Sequence, residues 1–151
     1  MALELTHVDG LDAPVLAGGI PRGSVVLFAG APGTMKSSLA FAILLNNARD
    51  DAAKCLYVSL EQTKPSLDNQ MAAMGFDMEL ARRSIHVLDV GTIQKELGRS
   101  ATKPWMDFLR RTIETKNKIE GIDLVAFDSL EALDVLAKFQ DRRSELFHFF
   151  Q

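Results

Sequence analysis

The run Gly30-Ala31-Pro32-Gly33-Thr34-Met35-Lys36-Ser37 joins two segments of opposite character. Before it, Ser24-Val25-Val26-Leu27-Phe28-Ala29 is apolar and β-branched, which reads as a strand buried on both faces. After it, residues 36–49 contain neither Gly nor Pro and read as a mostly buried helix. A loop between such a strand and such a helix turns backbone N–H groups and a helix N-terminus toward one point, where an anion is stabilised. The pattern for a phosphate-binding loop is G-x-x-x-x-G-K-[ST]. Gly30, Lys36 and Ser37 match it, and Met35 stands where the second glycine would be. The candidate nucleotide-binding residues are therefore Gly30, Ala31, Pro32, Gly33, Thr34, Met35, Lys36, Ser37 and Ser38. Lys36 would place a charge on the β/γ-phosphates and Ser37 a hydroxyl on Mg²⁺. The Cβ of Met35 limits backbone freedom and adds bulk beside the phosphates. A Gly/Pro turn before a helix also occurs with no ligand role.

The rest of the chain alternates strands with helices. Residues 55–60, 85–90 and 122–128 read as further strands. Pro65 opens a helix with Leu67, Met71, Met74 and Met78 at helical spacing, interrupted near Gly75. A polar loop is expected over residues 91–103. Pro104 suits the first turn of a helix running to about Lys118, with Trp105, Phe108, Leu109 and Ile113 on one side. Asp141 caps a final helix. Strands alternating with helices of this length indicate an α/β fold, a parallel sheet with helices on both faces. There is no internal repeat, and 151 residues suffice for one domain.

Composition narrows the function classes. Hydrophobic residues make up 47% and charged residues 25%, which excludes a disordered chain, a collagen-like repeat and a disulfide scaffold. A net charge of −3 argues against a basic nucleic-acid-coating protein. The single cysteine, Cys55, reads as a small buried hydrophobe of a reducing compartment. The start carries no signal-peptide pattern and no run approaches the ~20 apolar residues of a spanning helix. A cytoplasmic location is the expectation. His7, His86 and His148 are too scattered for a metal set. Lys116, Lys118, Arg142 and Arg143 read as solvated faces and Trp105 as a helix anchor. No aromatic-basic interleaving of the kind that binds single strands is present.

Two carboxylates complete the candidate chemistry. Asp128 ends the strand containing Leu124 to Phe127, where it can hold a Mg²⁺ water shell opposite Ser37; a strand-terminal Asp also serves as a turn former or helix cap. Ser129 can act as an N-cap. Glu61 ends the second strand and can orient and deprotonate an attacking water; it also reads as a solvated loop residue. In a parallel sheet, ligands gather at the carboxyl ends of strands. Gly30, Glu61 and Asp128 fall at three such ends.

Over nearly its whole length the chain resembles the KaiC-like branch of the RecA-type P-loop ATPases. Gly10-Leu11-Asp12 and Gly18-Gly19-Ile20-Pro21-Arg22-Gly23-Ser24 resemble that family's lead-in. Residues 30–38 resemble its Walker A loop, and Asp128-Ser129-Leu130-Glu131-Ala132-Leu133 its Walker B segment. Tyr57 to Gln62 resemble the strand bearing its catalytic glutamate, and Met74 to Asp77 a further stretch. The family's acidic pair is Glu61-Gln62 here, so only Glu61 carries over as base.

The resemblance implies ATP and Mg²⁺ as ligands, a RecA-like core, and a ring-forming homo-oligomer. It implies slow Mg-dependent ATP hydrolysis in a regulatory or assembly role, with Lys36 and Glu61 as catalytic residues and Ser37 and Asp128 at the metal. The family's next strand carries a polar sensor, and later segments carry a basic finger that reaches a neighbour's nucleotide. Neither is found before Gln151, so the chain is expected to be the N-terminal part of a longer ATPase, incomplete at its C-terminus and weakly active alone. Two alternatives stay open: a non-hydrolysing nucleotide sensor, toward which Met35 and Gln62 lean, and a recombinase-like DNA-binding ATPase, which the charge disfavours.

Overall fold

The computed structural model describes residues 5–13, 16–50, 52–96 and 105–150. In chain order its strands are β1 (Leu5–Thr6), β2 (Ile20–Pro21), β3 (Cys55–Ser59), β4 (Ile85–Asp89) and β5 (Leu124–Asp128). Its helices are α1 (Lys36–Asp50), α2 (Lys64–Ala73), α3 (Met78–Ser84), α4 (Val90–Glu96), α5 (Trp105–Glu120), α6 (Leu130–Ala137) and α7 (Arg142–Phe149).

The central sheet has the order β4-β3-β5 and all three strands are parallel. Cys55 lies opposite Ile85 and Leu124, and Ser59 opposite Asp89 and Asp128. The carboxyl ends of the strands are therefore level. Successive side chains of a strand point to opposite faces, and β3 shows the consequence. Cys55 and Tyr57 pack with Phe41, Leu44, Leu45, Leu67 and Met71, from α1 and α2. Leu56 and Val58 pack with Leu88, Trp105, Leu109 and Leu133, on the side of α5 and α6. Each fully buried Leu or Phe in these layers contributes about 1.5–3 kcal/mol of transfer free energy. The expected parallel sheet with helices on both faces is the observed architecture.

Local signals set the helix ends. Thr63 caps α2, accepting from Ser66 N, and Pro65 sits in the first turn. Gly75, at φ +83°, takes the left-handed conformation after the C-cap residue Met74, where glycine is favoured. Asp77 caps α3 and Asp141 caps α7. Leu67 and Met71 of the methionine stripe are fully buried, whereas Met74 is exposed. The lead-in is bound to α1 through Asn47. Its Oδ1 accepts from His7 N at 3.0 Å and its Nδ2 donates to His7 O at 2.7 Å.

Two expectations need correction. Residues 24–29 do not form a strand buried on both faces. They are irregular, and Val25 and Leu27 are 64% and 71% exposed. A strand requires a neighbour for its N–H and C=O groups. Among the described residues none pairs with this run, and the edge of β5 away from β3 is likewise unpaired. Just before the run, Arg22 donates to Asp123 Oδ1 at 3.0 Å, and Lys54 N donates to Oδ2 of the same carboxylate. The expected polar loop from 91 begins instead as α4, which takes in Val90 from the expected strand. Asp89 caps it, accepting from Thr92 N at 2.9 Å and Thr92 Oγ1 at 2.8 Å. Residues 97–103 and Pro104 lie outside the described residues.

Candidate functional site

The loop before α1 is shaped by its own short-range contacts. Thr34 Oγ1 donates to Ala31 O at 2.8 Å. A Cβ on Gly30 would meet Thr34 Oγ1 at 2.7 Å, so a larger residue there would have to displace this side chain. Gly33 and Met35 have φ values of +83° and +65°. For glycine this is free; for Met35 the left-handed conformation costs roughly 1–2 kcal/mol. The backbone thus adopts at Met35 the conformation for which the loop pattern uses glycine, and the thioether chain lies exposed. Lys36 Nζ donates to Gly30 O at 2.8 Å and Ala31 O at 3.0 Å. Its ammonium is held over the loop, on carbonyls that an incoming phosphate would have to replace as partners. Pro32 lies at the exposed turn. Ser38 is buried, with Oγ directed to Met74 Sδ at 3.1 Å, so its side chain serves the packing of α1.

Tyr57 connects this loop to the end of the sheet. Its hydroxyl donates to Asp128 Oδ2 at 2.6 Å, and the Ser37 side chain acts on it from the first turn of α1. Burial pushes the phenol well above its usual pKa. The hydrogen bond and charge of Asp128 raise it further, the Ser37 side chain opposes, and Glu61 adds a small upward push. The phenol is therefore neutral and a donor. Ser37 and Asp128, 91 positions apart in the sequence, both act on this one phenol.

Glu61 and Asp128 emerge from neighbouring strands. Leu60 N donates to Asp128 O at 2.7 Å, extending the β3–β5 ladder by one residue and setting Glu61 at its exit. Glu61 is exposed, and its Oε1 accepts from Ser129 Oγ. Asp128 and Ser129 are joined by a cis peptide. Ser129 Oγ also accepts from Ala132 N at 3.3 Å, so it caps α6 as well. Gln62 faces away from this pair: Nε2 donates to Gln70 Oε1 at 3.0 Å, and its carbonyl accepts from Ser59 Oγ at 2.6 Å.

A third carboxylate, Asp89, ends β4 level with Ser59. Burial raises its pKa, but the hydrogen bonds from Thr92 and the Lys64 amide outweigh that, and Lys95 adds to them, so the net shift is downward. Its oxygens are occupied with helix ends. Cys55, at the opposite end of β3, is inert: burial, with Asp123 adding, pushes its thiol up to about 12.

Hard oxygen donors suit Mg²⁺, which keeps waters and is commonly bound by one or two carboxylates plus substrate phosphates. Asp128, held by Tyr57, and the Ser37 hydroxyl in the first turn of α1 are donors of that kind. Among the described residues no group of three or more His, Cys, Asp or Glu gathers, so an all-protein cage for a more demanding ion is absent there. No helix among them is long and apolar enough to cross a membrane. Sequence reasoning passed over Tyr57. Its signal was a single polar tip on an otherwise apolar central strand.

Known proteins resemble this chain in sequence and in fold. A UPF0273 protein of Aeropyrum pernix is 34% identical over 65% of this chain and 39% of its own length. Another from Sulfurisphaera tokodaii is 26% identical over 87% of this chain and 45% of its own. The chain thus spans less than half the length of these relatives. The crystal structure of a KaiC-like protein from Pyrococcus horikoshii superposes with a TM-score of 0.74 at 22% identity, covering 98% of this chain and 63% of that one. The fold is thereby shown to be of the RecA-like α/β kind. The model of the KaiC ATPase family matches residues 5–151, taking in the lead-in, the phosphate loop and both acid-tipped strands, and this chain belongs to that family of P-loop ATPases.

Proposed function

We propose that the chain binds ATP with Mg²⁺ and contributes the phosphate loop, base and metal carboxylate of a slow ATPase. The observation that carries this reading is the meeting of Glu61 and Ser129 at the same sheet end where Tyr57 holds Asp128. The loop amides and the N-terminus of α1 stabilise phosphate charge, and Lys36 exchanges its loop carbonyls for β/γ-oxygens. Ser37 and Asp128 would hold Mg²⁺, which neutralises phosphate charge when bound. Glu61, steadied by Ser129, accepts a hydrogen bond from the attacking water and takes its proton as the water oxygen bonds to the γ-phosphorus, while the bond from that phosphorus to the bridging β-phosphate oxygen breaks and ADP leaves. In a ring of copies, a neighbour's basic group would complete the charge stabilisation. A regulatory or assembly role fits slow turnover of this kind.

The test is Mg·ATP titration of wild type, Lys36→Ala and Glu61→Gln, with turnover measured alongside. Lys36→Ala should weaken binding by about tenfold or more, the worth of one charge-assisted contact. Glu61→Gln should bind normally and lose turnover by about 10²-fold or more. Equal affinity in wild type and Lys36→Ala defeats the loop assignment. Normal binding with no turnover in any form would instead make the chain a nucleotide sensor.

A further inference from the structure

We propose that Tyr57 is a positioning residue that presets the Asp128 carboxylate for Mg·nucleotide; this rests on the reading of Asp128 as a metal-side residue. The phenol is fully buried in the middle of the central strand, and its ring is packed edge-on against Phe41 with centroids 6.0 Å apart. It therefore has little freedom to move. Its hydroxyl is fixed to Asp128 Oδ2 at 2.6 Å. A rigid donor on one carboxylate oxygen holds the rotamer and leaves the second oxygen for an external ligand. Partners of this kind set ligand orientation, and their loss commonly costs about 10–100-fold in metal affinity. The phenol itself touches neither phosphate nor water in this role.

Tyr57 is the only tyrosine in the chain, which gives a readout needing no variant. The Raman doublet of the full chain should report a strong hydrogen-bond donor, with and without Mg·nucleotide. A weak-donor doublet overturns the proposal. Calorimetric titration of the full chain with ATP in EDTA and with Mg·ATP then separates positioning from packing. Tyr57→Phe keeps the ring and removes one oxygen. It should leave Mg-free ATP affinity unchanged and weaken Mg·ATP binding by about tenfold or more, and Asp128→Asn should weaken Mg·ATP binding at least as much. Equal losses with and without Mg²⁺ would mean the ring acts only through packing and would overturn the proposal. So would Mg·ATP affinity kept in Tyr57→Phe but lost in Asp128→Asn. Unchanged Mg·ATP affinity in Asp128→Asn would overturn the metal-side reading itself, and the role of Tyr57 with it.

Discussion

β3 and residues 24–29 are both short apolar runs, yet every residue of β3 is buried while Val25 and Leu27 stand 64% and 71% exposed. β3 lies between two parallel strands, which satisfy its backbone on both edges, and helices cover both faces. Residues 24–29 have similar side chains without a ladder. Apolar composition states what a segment can bury; a strand forms only where a neighbour completes its hydrogen bonds. The difference runs through the candidate site. The end bearing Glu61 and Asp128 rests on long-range packing, whereas the phosphate loop holds itself by contacts such as Lys36 to Gly30 and Thr34 to Ala31.

Amide exchange should break or sustain this contrast most sharply. Amides of β3 should open only with global unfolding, about 5–15 kcal/mol for a stable domain, and those of Val25 to Phe28 at close to zero. Matching protection in the two runs would show that residues 24–29 are paired in solution. Next in size, Leu56→Ala should cost about 2–5 kcal/mol in urea unfolding, and Leu27→Ala no more than about 0.5 kcal/mol. A comparable loss from both would end the distinction.

Asp89→Ala tests the packed end through its caps and should cost about 0.5–2 kcal/mol. The sign with pH follows from the downward shift of this carboxyl. Its contribution is complete above the unfolded value, near 4, and is lost as pH falls through the lower folded value. Wild-type stability should therefore drop more than that of the variant in acid, measured as urea midpoints across that window. The smallest effect belongs to the loop. Met35→Gly removes left-handed strain of roughly 1–2 kcal/mol but adds about 0.5–1 kcal/mol of unfolded-chain entropy. A net gain of about 1 kcal/mol or less is expected in thermal unfolding, and a loss would contradict the strain at Met35.

Much of the architecture was legible because its signals are local. The buried strand within 55–60 and the half-buried one within 122–128 were visible as apolar runs, and Asp141 and Pro65 marked helix starts within a turn of themselves. The break near Gly75 followed from one residue's conformational freedom. α4 was missed because its first residue, Val90, was assigned to the preceding strand and most of the residues after it are polar or glycine. The loop residues were legible from spacing, but the engagement of Lys36 by Gly30 and Ala31, and the turn of Ser38 toward Met74, were not. Those contacts depend on the loop's curvature and on α2, which no local pattern specifies.

Sequence patterning therefore carried the fold class, the loop between apolar run and helix, and the candidacy of Glu61 and Asp128. Periodicity, capping and motif spacing act over a few residues, so they can be read along the chain. Folding in three dimensions settled which apolar run became a central strand and which stayed unpaired. It also joined Tyr57 to Asp128 across 71 positions and Glu61 to Ser129 across 68. Such pairs arise from strand order and register, properties of neighbours brought together by packing, and no short stretch of the chain contains them.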